Sequence, residues 1–542
     1  MKPESECVPA QVPMSSRPIV LALEQASFGR DGVDGFFWPV SMSEIVALRN
    51  TLTPALVTAI KAGQSMQCRG ATAAMLLSHY IVMEVMAVFQ AQALVERVVG
   101  RDVVWPTNSR LWSALAEGRQ PQQAPLIATL RRGPRRRPAL LERVAPTARR
   151  LYAGWEGRHL RFRASCPSHG TVSTRFADPL ILRHAALHSE PVTHVHISYW
   201  FGAVQSDHKD DRVKISAALM EGLMARVNET FRRQGIKINA VAETYLRNYF
   251  AEAISLVDVH RSRLFRGDRI LPKALWTGTA GNIWDRILRQ ATREQGGLVT
   301  GHDHAMGVGH FWYPWNYFLE FVAIDRFVTN HEAKASAADQ QTDLNLLFQK
   351  TPPDVVVVSH VEKAQRSTRA TTSIRHVMYV PSLYEGEGLH LGPFPPDITM
   401  LDWQARLVAR LVEWGFSVIH KPHPEGATRP PGRLAQFGHY KRRDEPFEKT
   451  WDMADLLLFD CAASTTFHVA LQTTKPIVLI DFGLLKWLPK ATSDLRERCA
   501  VVDAAFSNEN RLSVDWREVR KALARAPALV NSSAFRRNFL EA

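Results

Sequence analysis

In the second half of this chain, short apolar runs alternate with stretches of helical periodicity, and that alternation constrains the fold more than any other feature. The runs are Val355–Val358, Val377–Val380, Phe416–Ile419, Leu456–Phe459 and Ile477–Ile480. They lack the regular polar alternation of a strand with one face in water. Between them, Asp402–Trp414 and Thr466–Thr473 carry apolar residues at helical spacing. Strands apolar on both faces, alternating with helices, predict a parallel sheet covered on both sides. Ligands of such sheets bind beyond the carboxyl ends of the strands, so the turns that follow these runs are where chemistry is expected.

The first half reads less regularly. Ile19–Leu23 and Val192–Trp200 are strand candidates, and residues 40–100 predict helices on the spacing of Ile45, Leu48, Leu56 and Ile60. A second helical region spans 215–259, broken near Gly235. A β-α-β unit follows: strand 274–277, turn Gly278-Thr279-Ala280-Gly281, helix 282–295, a Gly296-Gly297 stop, then strand 298–300. Val322–Val328 predicts a further strand. The polar stretch 334–353 is the expected linker. A chain of 542 residues exceeds one ordinary core. The expected fold class is α/β, two Rossmann-like domains facing a central cleft: residues 1–345 with helical and basic insertions, residues 352–505, and a helical segment 506–542 returning toward the first domain.

Composition narrows the setting. Hydrophobic residues make up 46% and charged residues 22%, as in ordinary globular proteins. The most apolar long stretch, Ala73–Val95, includes His79, Glu84, Gln90 and Gln92, which are costly in lipid, so a buried amphipathic helix is expected rather than a membrane span. The five cysteines are scattered without a CxxC pair, which argues against a disulfide framework or a structural zinc site and fits a reducing cytoplasm. The first residues lack the basic-then-apolar pattern of a secretory leader. The net charge of +14 favours anionic partners. Part of it lies in the Pro/Gly-broken run of Arg131, Arg132, Arg135, Arg136 and Arg137, which reads as a solvated loop or as a contact for an anionic membrane or polyanion. Aromatic residues are not interleaved there, so no specific nucleic-acid binding is expected.

Three turns at predicted strand ends carry the candidate chemistry. His420-Lys421-Pro422-His423-Pro424-Glu425 fixes an imidazole between two prolines, able to bind a phosphate oxygen or protonate a leaving group, with Lys421 adding positive potential. Asp460-Cys461-Ala462-Ala463-Ser464-Thr465-Thr466 opens a helix, where free N–H groups and hydroxyls make a phosphate seat or a plain helix cap. Ser382 and the glycines of Glu385-Gly386-Glu387-Gly388 form a third turn that allows close backbone approach.

Together these turns resemble the carboxy-terminal half of the glycosyltransferase-B superfamily, over roughly residues 350–500. The likeness is to bacterial surface-polysaccharide transferases with cytidylyl donors. CDP-glycerol glycerophosphotransferases pair a His-Pro motif with an Asp-Tyr-Ser-Ser turn and a Lys-Pro strand start. This chain has Lys421-Pro422-His423-Pro424, Asp460 to Thr466 and Lys475-Pro476-Ile477, but Asp-Cys-Ala-Ala stands in place of Asp-Tyr-Ser-Ser. CMP-sugar transferases of the sialyl and Kdo type are similar in their His-Pro and Ser/Thr pair.

The resemblance implies a metal-independent glycosyltransferase of GT-B type without a cofactor. It would move a sugar or polyol phosphate from a CMP- or CDP-linked donor to a glycan or lipid-linked acceptor of capsule or lipopolysaccharide type. Its location would be cytoplasmic, peripheral on the inner membrane face. His423 would serve the leaving group, and Ser382, Lys421, Ser464, Thr465 and Thr466 the donor phosphate, with Glu425 toward a ribose. In Gly301-His302-Asp303-His304, the expected base is Asp303 or His302, and His304 lies on the acceptor side; metal ligation and a structural polar loop stay open as readings. Asp31 and Asp34 are a second, weaker base candidate. Two other functions fit the same sequence: a nucleotide-sugar 2-epimerase of this fold, and a nonenzymatic polyanion-binding protein.

Overall fold

Two wholly parallel sheets organise the chain. The computed structural model describes residues 18–107, 109–134, 160–175, 178–188, 191–201, 214–266, 269–303, 311–312, 320–332, 335, 351, 353–358, 373–388, 394–423 and 432–530. The leading residues, Arg135–Arg137, the core of the expected linker, His304 and Glu425 lie outside them.

Among the described residues, the first sheet has seven strands: β1 (Leu160–Arg163), β2 (Thr171–Ser173), β3 (Val192–Val195), β4 (Ala274–Thr277), β5 (Leu298–His302), β6 (Arg326–Thr329) and β7 (Asp354–Val357). Their order is β1-β3-β2-β4-β5-β6-β7. The second has six: β8 (His376–Val380), β9 (Ser417–His420), β10 (Tyr440–Arg442), β11 (Leu456–Phe459), β12 (Ile477–Asp481) and β13 (Ala500–Asp503), in the order β10-β9-β8-β11-β12-β13. Counted within that sheet, the order is 3-2-1-4-5-6, that of doubly wound Rossmann sheets. The winding reverses between β8 and β11 in this sheet, and between β2 and β4 in the first. Such switch points leave crevices at the carboxyl ends of the strands.

Several expectations are corrected. The run at 355–358 was assigned to the second sheet, but β7 pairs with β6 at the edge of the first, so a boundary at 352 falls too early. Of the segment 506–542, Asn510 and Arg511 do meet the first half, at Trp38 O and Asp31 O, whereas the helix Trp516–Arg525 packs on the second sheet, with Trp516 stacked 5.9 Å from Trp403, and residues 531–542 lie outside the described residues. Ile19–Val20 forms a separate two-stranded ladder with Val103–Val104. The run 192–200 is β3 followed by a 3-10 turn at Ile197–Tyr199.

Helices cover the first half. α1 (Met42–Ser65) starts from a Ser41–Glu44 capping box, in which each side chain satisfies the other's backbone N–H. α2 (Ala71–Arg97) is long and apolar enough to cross a membrane by length and composition, yet 83% of its most apolar window is buried here. Its apolar residues lie all round because α1, α4 (Ala240–Arg266) and α5 (Ile283–Glu294) pack on it, while α3 (Ala217–Arg233) packs on α1. One buried apolar cluster runs through both sheets, from Leu275 and Phe327 to Val377 and Leu457.

A hairpin near the amino terminus, Phe28–Gly29 with Gly32–Val33, docks on α6 (Asp397–Glu413) of the second sheet. The fully buried Asp402 carboxylate accepts from Val33 N at 2.9 Å, Arg406 Nη2 at 2.7 Å and Arg511 Nη2 at 2.6 Å. Gly32 has φ +96°, and a Cβ there would land on that carboxylate, so only glycine fits.

Candidate functional site

The loops at the two switch points open onto one cleft of about 1130 Å³. Arg175 follows β2, and Thr279, Gly281 and Asn282 follow β4. Glu385 to Gly388 follow β8, and Asp397 and Ile398 begin α6. Tyr80, Met83 and Glu84 of α2, with Arg110 and Trp112, complete the wall.

The wall from the first sheet is held from behind by two arginines of α5. Arg289, fully buried, donates from Nε to Thr277 Oγ1 at 2.8 Å and from Nη2 to Gly278 O at 2.5 Å. Its Nη1 reaches Glu320 O at 3.0 Å. Arg286, equally buried, donates to Ala280 O at 2.5 Å and Leu76 O at 2.8 Å. Burial pushes both guanidinium pKa values down to about 10. They remain charged at neutral pH and draw the carbonyls of the 278–280 turn inward. In front of them, Asp285 accepts from Thr174 Oγ1 at 3.0 Å and from Arg175 Nη2 at 2.9 Å, which aims the partly exposed Arg175 along the cleft.

The wall from the second sheet is organised by a carboxylate. Asp460, at the end of β11, accepts from Ser382 N at 2.6 Å, Ser382 Oγ at 3.0 Å, Trp403 Nε1 at 3.2 Å and the Tyr379 hydroxyl. Burial raises its pKa to about 6 despite these donors. Asp397 accepts from Glu385 N at 2.8 Å and Gly386 N at 3.0 Å and so fixes the rest of the loop, where Gly386 has φ +67°. From that loop, the Glu387 carboxylate crosses to the other wall. It accepts from Arg110 N at 2.6 Å, Leu111 N at 2.7 Å and Trp112 N at 3.0 Å. Arg110 in turn pairs with Glu84 at 2.7 Å.

Of the residues expected from sequence, Ser382 is at the switch point, with its hydroxyl engaged by Asp460. Tyr379 pairs with His420 on one side of β8, and Val380 with Phe459 on the other. The His423 and Ser464 turns therefore share one sheet edge with β8 between them, roughly 10 Å apart by strand spacing. Among the described residues, none of either turn lines the cleft. His423 is half-buried and Thr465 exposed. Ser464 is the N-cap of the short helix Thr465–Leu471, and its Oγ accepts from Phe467 N at 3.1 Å. Lys421 is buried rather than offered to a phosphate. Its Nζ donates to Pro422 O at 3.0 Å, and burial lowers its pKa.

The expectation that His302 acts as base is corrected. Its ring is fully buried, and Nδ1 donates to Thr277 O at 3.0 Å. That fixes the tautomer, so Nε2 accepts from His184 Nδ1 at 2.9 Å. Burial lowers its pKa to about 4. Asp303 is buried and does not line the cleft.

Sequence reading missed Arg175, Arg286, Arg289 and Glu387. The signal for the arginine clamp was present: two arginines three apart in a helix that opens directly after a Gly-Thr-Ala-Gly turn.

No protein-family model matches the chain, and no curated protein does. Eight chains of solved structures match it. One, in the "Crystal structure of GtfA/B complex", is 13% identical with a TM-score of 0.28, over 53% of this chain and 58% of that one. The chain thus spans less than two thirds of that relative. What the fold defines is an α/β protein on two parallel sheets, one in Rossmann order. Function rests on the cleft.

Proposed function

We propose that the protein is a GT-B-type transferase with its two sheets as donor-side and acceptor-side domains. It moves a sugar or polyol phosphate from a nucleotide-activated donor, CMP- or CDP-linked first, to a surface-glycan or lipid-linked acceptor at the inner membrane face. The observation that carries this reading is the convergence of both switch-point loops on one cleft large enough for two substrates.

In this reading the donor lies along the loop 382–388, where the absence of side chains at Gly386 and Gly388 lets a ligand approach the backbone. Arg175 neutralises an anionic group of the substrates. His423, Thr465 and Thr466 lie on the turns that flank this loop, outside the cleft lining, and would meet the leaving phosphate where the donor extends past the loop along the sheet edge. Glu24, at the cleft rim, accepts from Thr107 N at 3.2 Å and Oγ1 at 2.8 Å. Hydrogen bonds, its own backbone N–H first, lower its pKa, so it is ionised at neutral pH and oriented to receive an acceptor proton.

The test is a thermal-shift and calorimetric panel of CMP, CDP, UDP and GDP with their sugars. Selective stabilisation by cytidylyl nucleotides is expected, and no binding by any nucleotide overturns the reading. With a binding donor in hand, His423→Ala should lower turnover by about 10²-fold. Product formed from donor alone points instead to the 2-epimerase.

A further inference from the structure

We infer that the cleft has a fixed width: the two sheets move as one rigid body, and ligands enter through a standing opening rather than by the parting of two lobes. Three fastenings cross between the sheets at different places. The first is the hairpin 28–33. Besides the Asp402 contacts, Phe28 O accepts from Gln436 Nε2 at 3.0 Å, and Trp38 O accepts from Asn510 Nδ2 at 2.8 Å. The second is a short antiparallel ladder between Phe311–Trp312 and Lys486–Trp487, with Phe311 and Trp487 ring centroids 4.3 Å apart. The third is Glu387 on the backbone of 110–112.

The fastenings bear on the cleft itself. α6 forms part of the wall at Asp397 and Ile398 and grips the hairpin about one turn further on, through Asp402, which accepts from Val33 N. Glu387 lies within the wall. A hinge axis can pass through two fastenings at most, so a rotation must strain the third and must also shear the apolar cluster shared by the sheets. Multi-segment proteins of this size usually leave relative motion open where the interface is small and polar; here one continuous buried apolar cluster reaches both sheets, and hydrogen bonds tie its margins.

Amide hydrogen exchange on the full chain without ligand tests this independently of any nucleotide. The amides of Val33, which donates to Asp402, and of Arg110, Leu111 and Trp112, which donate to Glu387, report two of the fastenings. Protection of both segments by about 10³-fold or more over an unstructured peptide is expected. Exchange within about tenfold of the unstructured rate at either one overturns the inference. Glu387→Ala should speed exchange at 110–112 while leaving Val33 protected. If Val33 loses protection to the same degree, the fastenings are not independent and the inference fails.

Discussion

The two switch points both reverse the winding of a parallel sheet, yet they are built with opposite charge. At the second sheet one buried carboxylate, Asp460, gathers N–H and O–H donors from β8, its loop and α6. At the first sheet two buried guanidiniums, Arg286 and Arg289, gather carbonyls from the turn after β4 and from neighbouring segments. A turn at the end of a parallel strand has unsatisfied backbone groups of both kinds. The hub decides which are consumed inside and which face the ligand. The acid hub ties down the N–H of Ser382, whereas the basic hub ties down the carbonyls of Gly278 and Ala280. Beside Asp460 lies a separate cavity of about 30 Å³, whereas the large cleft is lined by the loops of both switch points.

Removing the acid hub is the severest way to break this comparison. Asp460→Ala leaves buried donors on Tyr379, Ser382 and Trp403 without their acceptor and should cost on the order of 4 kcal/mol in urea denaturation. A loss below about 1 kcal/mol would mean that the loop is held by something else. The titration of the same group comes next. Its pKa is raised from 3.8 to about 6 in the folded state, chiefly by burial. The native protein therefore keeps a proton that the unfolded chain has lost. Stability from this group is complete below about pH 4 and falls as pH rises through 6, by on the order of 2–3 kcal/mol. Asp460→Asn should flatten that slope in pH-dependent melts.

Arg289→Met sharpens the contrast, because it strips four acceptors (Thr277 Oγ1 and the carbonyls of Gly278, Glu320 and Val322) of their donor yet also removes a buried charge. The two effects offset in part, and a net loss of about 2 kcal/mol is expected by denaturation. The smallest effect is expected at Ser464→Ala, about 1 kcal/mol for a lost N-cap, with nucleotide affinity unchanged in calorimetry. A tenfold loss of affinity would return that hydroxyl to the ligand.

The second sheet was largely legible in the sequence because β8, β9, β11 and β12 are apolar on both faces and each ends in a marked turn. β10 (Tyr440-Lys441-Arg442) lies at the sheet edge with charged side chains, and β1 (Leu160-Arg161-Phe162-Arg163) is the corresponding edge of the first sheet, so neither carried an apolar run. β7 did carry one and was assigned to the wrong sheet, since nothing in Val355–Val357 encodes which neighbour it meets. Ser382 and Asp460 stood out as parts of turn motifs at strand ends, but Ser382 was expected on a phosphate and no role was read for Asp460; the structure bonds one to the other. The site was illegible at Arg286 and Arg289. Charge at helical spacing reads as a solvated face unless one knows that a turn stands over it. Glu387 was quoted only as part of a Gly-rich turn; its partner is some 275 residues away in sequence.

The central helix α2 also has a consequence for synthesis. Its 27 residues emerge before α4, the long helix that shields one flank, and the two are separated by about 140 residues of chain. At roughly 5–20 residues per second, that leaves one flank of a greasy segment, the one α1 does not cover, exposed for roughly 7–30 s on every translating ribosome. During that interval it has the length and hydropathy by which insertion machinery recognises its clients. A cell making this protein must shelter α2 on the ribosome, and chaperone depletion should show first as aggregates of nascent chains truncated before residue 240.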